Sequence, residues 1–269
     1  MKLRLNKIAV GLLFIASLTG ITACSKSDDN QPAATVTPSV DLTISAEKIN
    51  EIKKNLSIYV DVTKISNIIP LDYPNLYFVD LKGSNPLITT ADGKYFLGDQ
   101  IFKVSDNKNA VNIVQNVQFK LNADKLAKIS PSDIIEYPSS IKEEYVVYVF
   151  SDPTCPYCRD FHKSLPEINN LGITVRYIGF PRAAEFSPIL KKVWCSADKK
   201  AAFSSIINGQ MINSDECQAN PIDSFTDLGH EVGVNGTPNV FLPDGRKVGG
   251  FMKPDELYQA LLEIRNSDK

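Results

Sequence analysis

Two cysteines separated by two residues stand directly behind the most apolar stretch of the chain's second half. Tyr145-Val-Val-Tyr-Val-Phe150 is a near-continuous β-branched and aromatic run, the pattern of a strand buried on both faces. Ser151-Asp-Pro-Thr154 turns the chain, and Cys155-Pro156-Tyr157-Cys158 opens a helix expected to run to about Leu165. Backbone N–H groups and the helix dipole at that place stabilise a negative sulfur, so the Cys155 thiol is expected below the roughly 8.5 of a free cysteine. Cys158 lies one turn inside and is more shielded. Pro156 suits the first helical turn, where its missing N–H costs nothing. Disulfide exchange needs an attacking thiolate and a second thiol that resolves the mixed disulfide, and this spacing supplies both. Zinc is the competing use of such a pair, but it needs about four ligands, usually as two pairs. Cys195 and Cys217 are far apart in the chain and only His162 and His230 remain, so neither metal nor cofactor is expected.

The flanking pattern fits the same placement. Ile173 to Ile178 reads as a second buried strand, and Pro181 to about Gly233 as largely helical. Asn239 to Leu242 is a strand, Pro243-Asp-Gly245 a turn, Val248 to Phe251 its partner, and Pro254 to about Ile264 an amphipathic helix. Strand, helix, strand, helices, hairpin, helix is the thioredoxin order with helices inserted. In thioredoxin-like folds the position of Thr237-Pro238 holds a cis-proline facing the cysteines, and the backbone beside it can pair with an extended substrate strand. Thioredoxins often place a buried acid six residues before the first cysteine. Val149 stands there, and Glu143 and Glu144 lie too early on the strand to replace it. His162, His230 and Trp194 read as packing residues.

The chain holds five cysteines. Lys2, Arg4 and Lys7 precede an apolar run from Ile8 to Leu18, too short to span a bilayer well, and Ile21-Thr-Ala-Cys24 follows. This is an export signal over residues 1–23 whose ending resembles a bacterial lipobox, with Cys24 as the lipidated residue. The Ser-, Asp-, Thr- and Pro-rich stretch to about residue 42 has too little apolar surface to pack and reads as a tether. Four cysteines remain, an even count that in an exported chain reads as disulfide chemistry. They allow three pairings. Cys155 and Cys158 pair most simply with each other, which leaves Cys195 with Cys217, a loop closure of roughly 3 kcal/mol.

Residues 43–118 look like a separate module: an amphipathic helix from about Leu42 to Lys54, then β-rich sequence to about Val117. Leu76 to Leu81 and Ile101 to Val104 are strands, and Ile88 to Leu97 reads as a hairpin around Asp92-Gly93. The module holds neither Cys nor His, so it suits binding or assembly. Residues 119–140 read as a linker of helical character interrupted by Pro131, and residues 141–269 as the catalytic domain. Charge is balanced, 29 basic against 31 acidic side chains, and no basic stripe points to nucleic acid.

Phe150-Ser-Asp-Pro-Thr-Cys-Pro-Tyr-Cys158, Val193-Trp-Cys-Ser-Ala-Asp-Lys199 with Cys217, Val232-Gly-Val-Asn-Gly-Thr-Pro238, and Leu76 to Val104 together resemble the DsbC/DsbG family of periplasmic thiol:disulfide interchange proteins. The resemblance implies an α/β thioredoxin-like catalytic domain with a helical insertion, a helical linker, and a small N-terminal α+β, cystatin-like dimerisation domain. It implies a V-shaped homodimer whose cleft holds misfolded exported proteins. Cys155 would attack, Cys158 resolve, and Thr237, Pro238, Pro156 and Tyr157 face substrate, while Cys195–Cys217 would be structural. A membrane-bound thiol reductase of the DsbD type would keep the site reduced. The Pro-Tyr dipeptide is the DsbG-like choice and Cys195/Cys217 the DsbC-like one. A disulfide isomerase, a DsbG-like reductase of oxidised single cysteines, and a holdase dimer are therefore all expectations, and a disulfide-donating oxidase is disfavoured by the added N-terminal module. The tether departs from the soluble periplasmic members and places the chain on a membrane, with Ser25 pointing to the outer one.

Overall fold

A computed structural model describes residues 44–104 and 110–267. The signal and the whole tether, Cys24 included, lie outside them.

The N-terminal part is a four-stranded antiparallel sheet between two helices. Ser45 caps α1 (Ala46–Leu56) by accepting from the Lys48 N–H. β1 (Ile65–Pro70), β2 (Leu76–Leu81), β3 (Leu87–Thr90) and β4 (Phe96–Leu97) lie side by side in chain order. The β3–β4 turn has Gly93 at φ +65°, a left-handed position suited to glycine. Alternation on β2 sends Phe78 to one face and Val79 to the other. Val79 joins Ile52 and Leu56 of α1, and Phe78 joins Ile113, Val114 and Val117 of the next helix. β5 (Phe102–Val104) and β6 (Ala110–Asn112) form a separate ribbon.

The next helix differs from its expectation. Residues 113–117 were expected within β-rich sequence, yet α2 (Ile113–Leu126) begins at Ile113. The Asn112 side chain accepts from the Val114 and Gln115 N–H groups, and this cap outweighs the β preference of Ile113-Val114. β7 (Ile135–Tyr137) is also a correction, because a helical linker was expected across it. Ile135 is buried, and the segment pairs antiparallel along a strand of the second sheet.

That second sheet has β8 (Tyr145–Ser151) at its centre. α3 (Pro156–Lys163) ends close to the expected Leu165, and a further helix, α4 (Leu165–Asn170), follows after Ser164. Pro166 enters the first turn of α4 and cannot continue the α3 hydrogen-bond ladder. β9 (Ile173–Gly179), α5 (Ser187–Cys195), α6 (Lys199–Ile207), α7 (Ile222–Glu231), β10 (Asn239–Phe241), β11 (Lys247–Gly249) and α8 (Pro254–Ser267) complete it. The strand order is β11-β10-β8-β9-β7, with β8 and β9 parallel and the other pairs antiparallel. Val147, Val149, Phe150, Val175, Tyr177 and Phe241 are fully buried, as central strands covered by helices on both faces require. α2 meets this part at the β10–β11 turn, where Asn122 Nδ2 donates to the Gly245 carbonyl at 3.2 Å. Gly245 has φ +84°, and a side chain there would strike the α2 backbone.

Candidate active site

β8 delivers the chain to the C-terminal edge of the sheet, and a tightly bonded turn then aims the first cysteine. The Cys155 N–H donates to the Asp152 carbonyl at 2.9 Å. The Asp152 carboxylate is fully buried and accepts four hydrogen bonds. Two come from Thr154, its N–H at 2.8 Å and its hydroxyl at 2.6 Å. Two come from Arg182, its N–H at 3.1 Å and Nε at 3.2 Å. The Arg182 guanidinium also donates to the Thr154 hydroxyl at 3.0 Å. A buried charge held by its counter-ion and by hydrogen bonds is the arrangement burial permits, and here it locks the turn to the chain leaving β9.

Cys155 is the N-cap of α3, in extended conformation, with Pro156 at the first helical position. Its residue surface is 3% exposed and that of Cys158 is 0%; both are free thiols. The two sulfurs differ in acidity. A hydrogen bond from the Cys158 thiol is the largest influence on Cys155, followed in the same direction by Thr237 and by the backbone N–H groups of Cys158 and Tyr157. Burial opposes them, and the net result is a thiol lowered to about 5. Burial acts first on Cys158, with the bond to Cys155 adding to it, and its thiol is pushed far up. One contact pulls the other way: the Thr237 carbonyl lies 3.2 Å from Cys155 Sγ and accepts from the protonated thiol. The Thr237 hydroxyl is buried and makes no hydrogen bond among the described residues, yet the Thr237 side chain is among the groups that lower the Cys155 thiol, so a small rotation would turn its proton to the sulfur.

The Thr237–Pro238 bond is cis. Beside it runs a groove of about 480 Å³, lined among others by Tyr157, Thr237, Pro238, Lys247 and Phe251. Tyr157 is 61% exposed and its ring centre stands 5.8 Å from that of Phe251. Pro156 is exposed at the same end of α3.

Cys195 and Cys217 form a disulfide joining the end of α5 to the segment before α7. His162 packs among Tyr137, Tyr177 and Phe203, its Nδ1 without a partner among the described residues, and burial lowers its pKa to about 4. His230 meets the Phe180 ring edge-on, and the Trp194 indole donates to the Asp133 carbonyl at 2.7 Å. Val149 is buried, while Glu143 accepts from Thr174, and Glu144 meets Tyr258 and Arg265. No cluster of three or more His, Cys, Asp or Glu suited to a metal occurs among the described residues.

The Thioredoxin-like domain family matches residues 131–265. The thiol:disulfide interchange protein DsbC of Escherichia coli strain K12 is 35% identical over 204 residues, covering 74% of this chain and 82% of that protein. DsbC of Salmonella typhimurium is 35% identical over 181 residues, 66% of this chain and 73% of its own length. This chain belongs to the DsbC family. Its activity is that of a thiol–disulfide oxidoreductase and isomerase, on a thioredoxin-like fold. A solved structure, a disulfide interchange protein from Neisseria gonorrhoeae, is 25% identical with a TM-score of 0.43, over 52% of this chain and 99% of that one.

Sequence reasoning missed two parts of this DsbC-family site. Asp152 read only as a turn residue, although the Asp-x-Thr pattern ahead of Cys155 is the local signal for a carboxylate bonding two residues on. Lys247 gave no signal, because the groups it touches lie 12 and 14 residues away.

Proposed function

We propose that Cys155 is the attacking thiolate and Cys158 the resolving thiol of a disulfide isomerase acting on exported proteins. The observation that carries this is the opposite acidity of the two sulfurs beside an open groove. Cys155 attacks one sulfur of a client disulfide, that S–S bond breaks, and the other client sulfur leaves as a thiolate. In isomerisation a second client thiolate attacks the mixed disulfide and expels Cys155 as a thiolate, with no net redox change. In reduction Cys158 gives up its proton and attacks Cys155 Sγ. The client then leaves as a dithiol, and the Cys155–Cys158 disulfide needs two electrons from a dithiol donor. A membrane-bound reductase of the DsbD type is the donor we assign.

The client strand lies in the groove, with Thr237, Pro238, Pro156 and Tyr157 against it, and the Cys195–Cys217 bond is structural. Residues 43–118 form the dimerisation domain, residues 119–140 link it to the catalytic domain at 141–269, and two copies make a homodimer. Supporting this, Tyr95, Phe96 and Leu97 at the β4 edge, with Phe102 and Val104, are large apolar side chains at least half exposed, more than a solitary module leaves in water without a partner. Residues 1–23 direct export, residues 24–42 tether the chain, and lipid on Cys24 holds it to a membrane facing the periplasm. Among the described residues no helix is long and apolar enough to cross a membrane. Refolding of scrambled ribonuclease in mild reductant, by the full chain and by Cys155→Ala, tests the reading. Activity restored by the first alone supports isomerisation. If neither restores it but the chain reduces a sulfenic acid, the reductase that Pro156-Tyr157 resembles is the better description.

A further inference from the structure

The groove beside Pro238 carries one charged side chain, Lys247, and nothing in the exchange chemistry uses it. Lys247 opens β11 opposite Phe241, and its ammonium reaches across the groove wall to the Gly233 carbonyl at 3.2 Å and Asn235 Oδ1 at 3.3 Å. Both acceptors are neutral. It makes no ion pair with a carboxylate among the described residues. A lysine ammonium has three donors, so two are spent holding the group in place and one is left for a ligand. The residue is exposed at the groove wall, and partial desolvation of its ammonium lowers its pKa. Such a group is pre-positioned: its stem loses little further freedom when an anion arrives. Tyr157 and Phe251 form an aromatic wall of the same groove.

We infer that Lys247 reads the charge of the client, so that the groove favours an extended segment carrying a carboxylate side chain near the cysteine it presents to Cys155. The inference rests on the reading that the client strand lies in this groove. An extended strand alternates its side chains, so one residue can face the ammonium while its neighbours meet the aromatic wall. Specificity of this kind is a difference between affinities, and a fixed unpaired cation supplies both arms, attraction to Glu or Asp and repulsion of Lys or Arg.

The test uses the reduced full chain and two peptides, each a 2-pyridyl disulfide of a single Cys flanked on both sides by two Glu in one peptide and two Gln in the other. Release of 2-thiopyridone reports attack. The quantity read is the Glu-to-Gln rate ratio within each protein, which is insensitive to how much of a variant folds. The wild type should give a ratio of about five, the upper end for a partly exposed ion pair, falling toward one at about 1 M salt. Lys247→Met should give about one, and Lys247→Glu below one. A wild-type ratio of one, or a ratio retained in Lys247→Met, overturns the inference while leaving exchange through Cys155 intact. A wild type that releases thiopyridone from neither peptide overturns the exchange reading, and the inference with it.

Discussion

Replacing Thr237 by Val deletes one hydroxyl beside Cys155 and keeps a β-branched side chain before Pro238. The hydroxyl is buried and makes no hydrogen bond among the described residues, and Thr237 acts to lower the Cys155 thiol. A hydrogen bond to an ionised group contributes about 1.5 kcal/mol at the low end, which is about one pKa unit. The Cys155 midpoint should therefore move from about 5 to roughly 6 in the variant. The carbonyl of residue 237 remains, so the contact favouring the protonated thiol is unchanged.

The assay must read the midpoint and not a rate at one pH. At pH 5.5 the thiolate fraction falls about three-fold when the pKa rises from roughly 5 to roughly 6. Intrinsic nucleophilicity rises with thiol pKa, by about three-fold for one unit at a Brønsted slope of about 0.45, and nearly cancels that loss. At pH 7.5 Cys155 is ionised in the wild type and the variant alike, and the variant should be the faster attacker by about three-fold. Thiolate absorbance in the ultraviolet gives the midpoint directly, and stopped-flow exchange with a small disulfide gives the rate. A midpoint that moves by less than about 0.3 units, against an expectation of about one, refutes the hydroxyl as a donor to the sulfur.

Three further outcomes follow from the same site and the core behind it. Asp152→Ala removes four acceptor bonds from a fully buried site. Arg182 can turn to solvent, so the loss is about 3 kcal/mol, the lower end for breaking a buried pair, read by urea unfolding through Trp194, the single tryptophan. His162→Phe acts on acid stability. The native pKa of about 4 lies below the usual histidine value, so the contribution is full above about 6.5 and is lost as pH falls toward 4. Phe in that aromatic cluster should flatten this limb, and an unchanged limb counts against burial as its cause. For Cys155 the depressed thiol pKa works in the same direction. Reduced wild type should gain about 2 kcal/mol over Cys155→Ser between pH 5 and pH 7, checked by urea melts at both.

What could be read beforehand follows from how local each cause is. The dithiol, its helix and the strand before it are set by residues 145–158, where burial, turn and N-terminal proline sit side by side. The four-stranded sheet was legible in part, through the Leu76–Leu81 run and the Asp92-Gly93 turn, whereas β1 and β6 gave no reading. Asn112 reads as one more turn residue in β-rich sequence, and only its two bonds into α2 show it as a cap. β7 is three residues long, too short for periodicity to register, and owes its state to the β9 edge it covers. Asp152 could be seen as a turn former but not as a buried anion, because Arg182 is 30 residues on and no local pattern couples them.

The unequal sulfurs also bear on which of two fates a mixed disulfide meets. Once Cys155 is bonded to a client its thiolate is gone, and the part of the Cys158 shift that comes from Cys155 goes with it. Burial, the larger cause, remains. Cys158 must then release its proton from a fully buried position, where residue 149 is a valine and the polar groups acting on the sulfur are the Ser151 and Thr237 side chains and the Asp152 backbone. Escape through Cys158 is slowed by that step, whereas attack by a second client thiol needs no proton from inside the fold. A long-lived mixed disulfide gives the client time to find another of its own sulfurs. With Cys155 and Cys158 in the roles proposed above, the buried resolving cysteine would favour shuffling clients over reducing them.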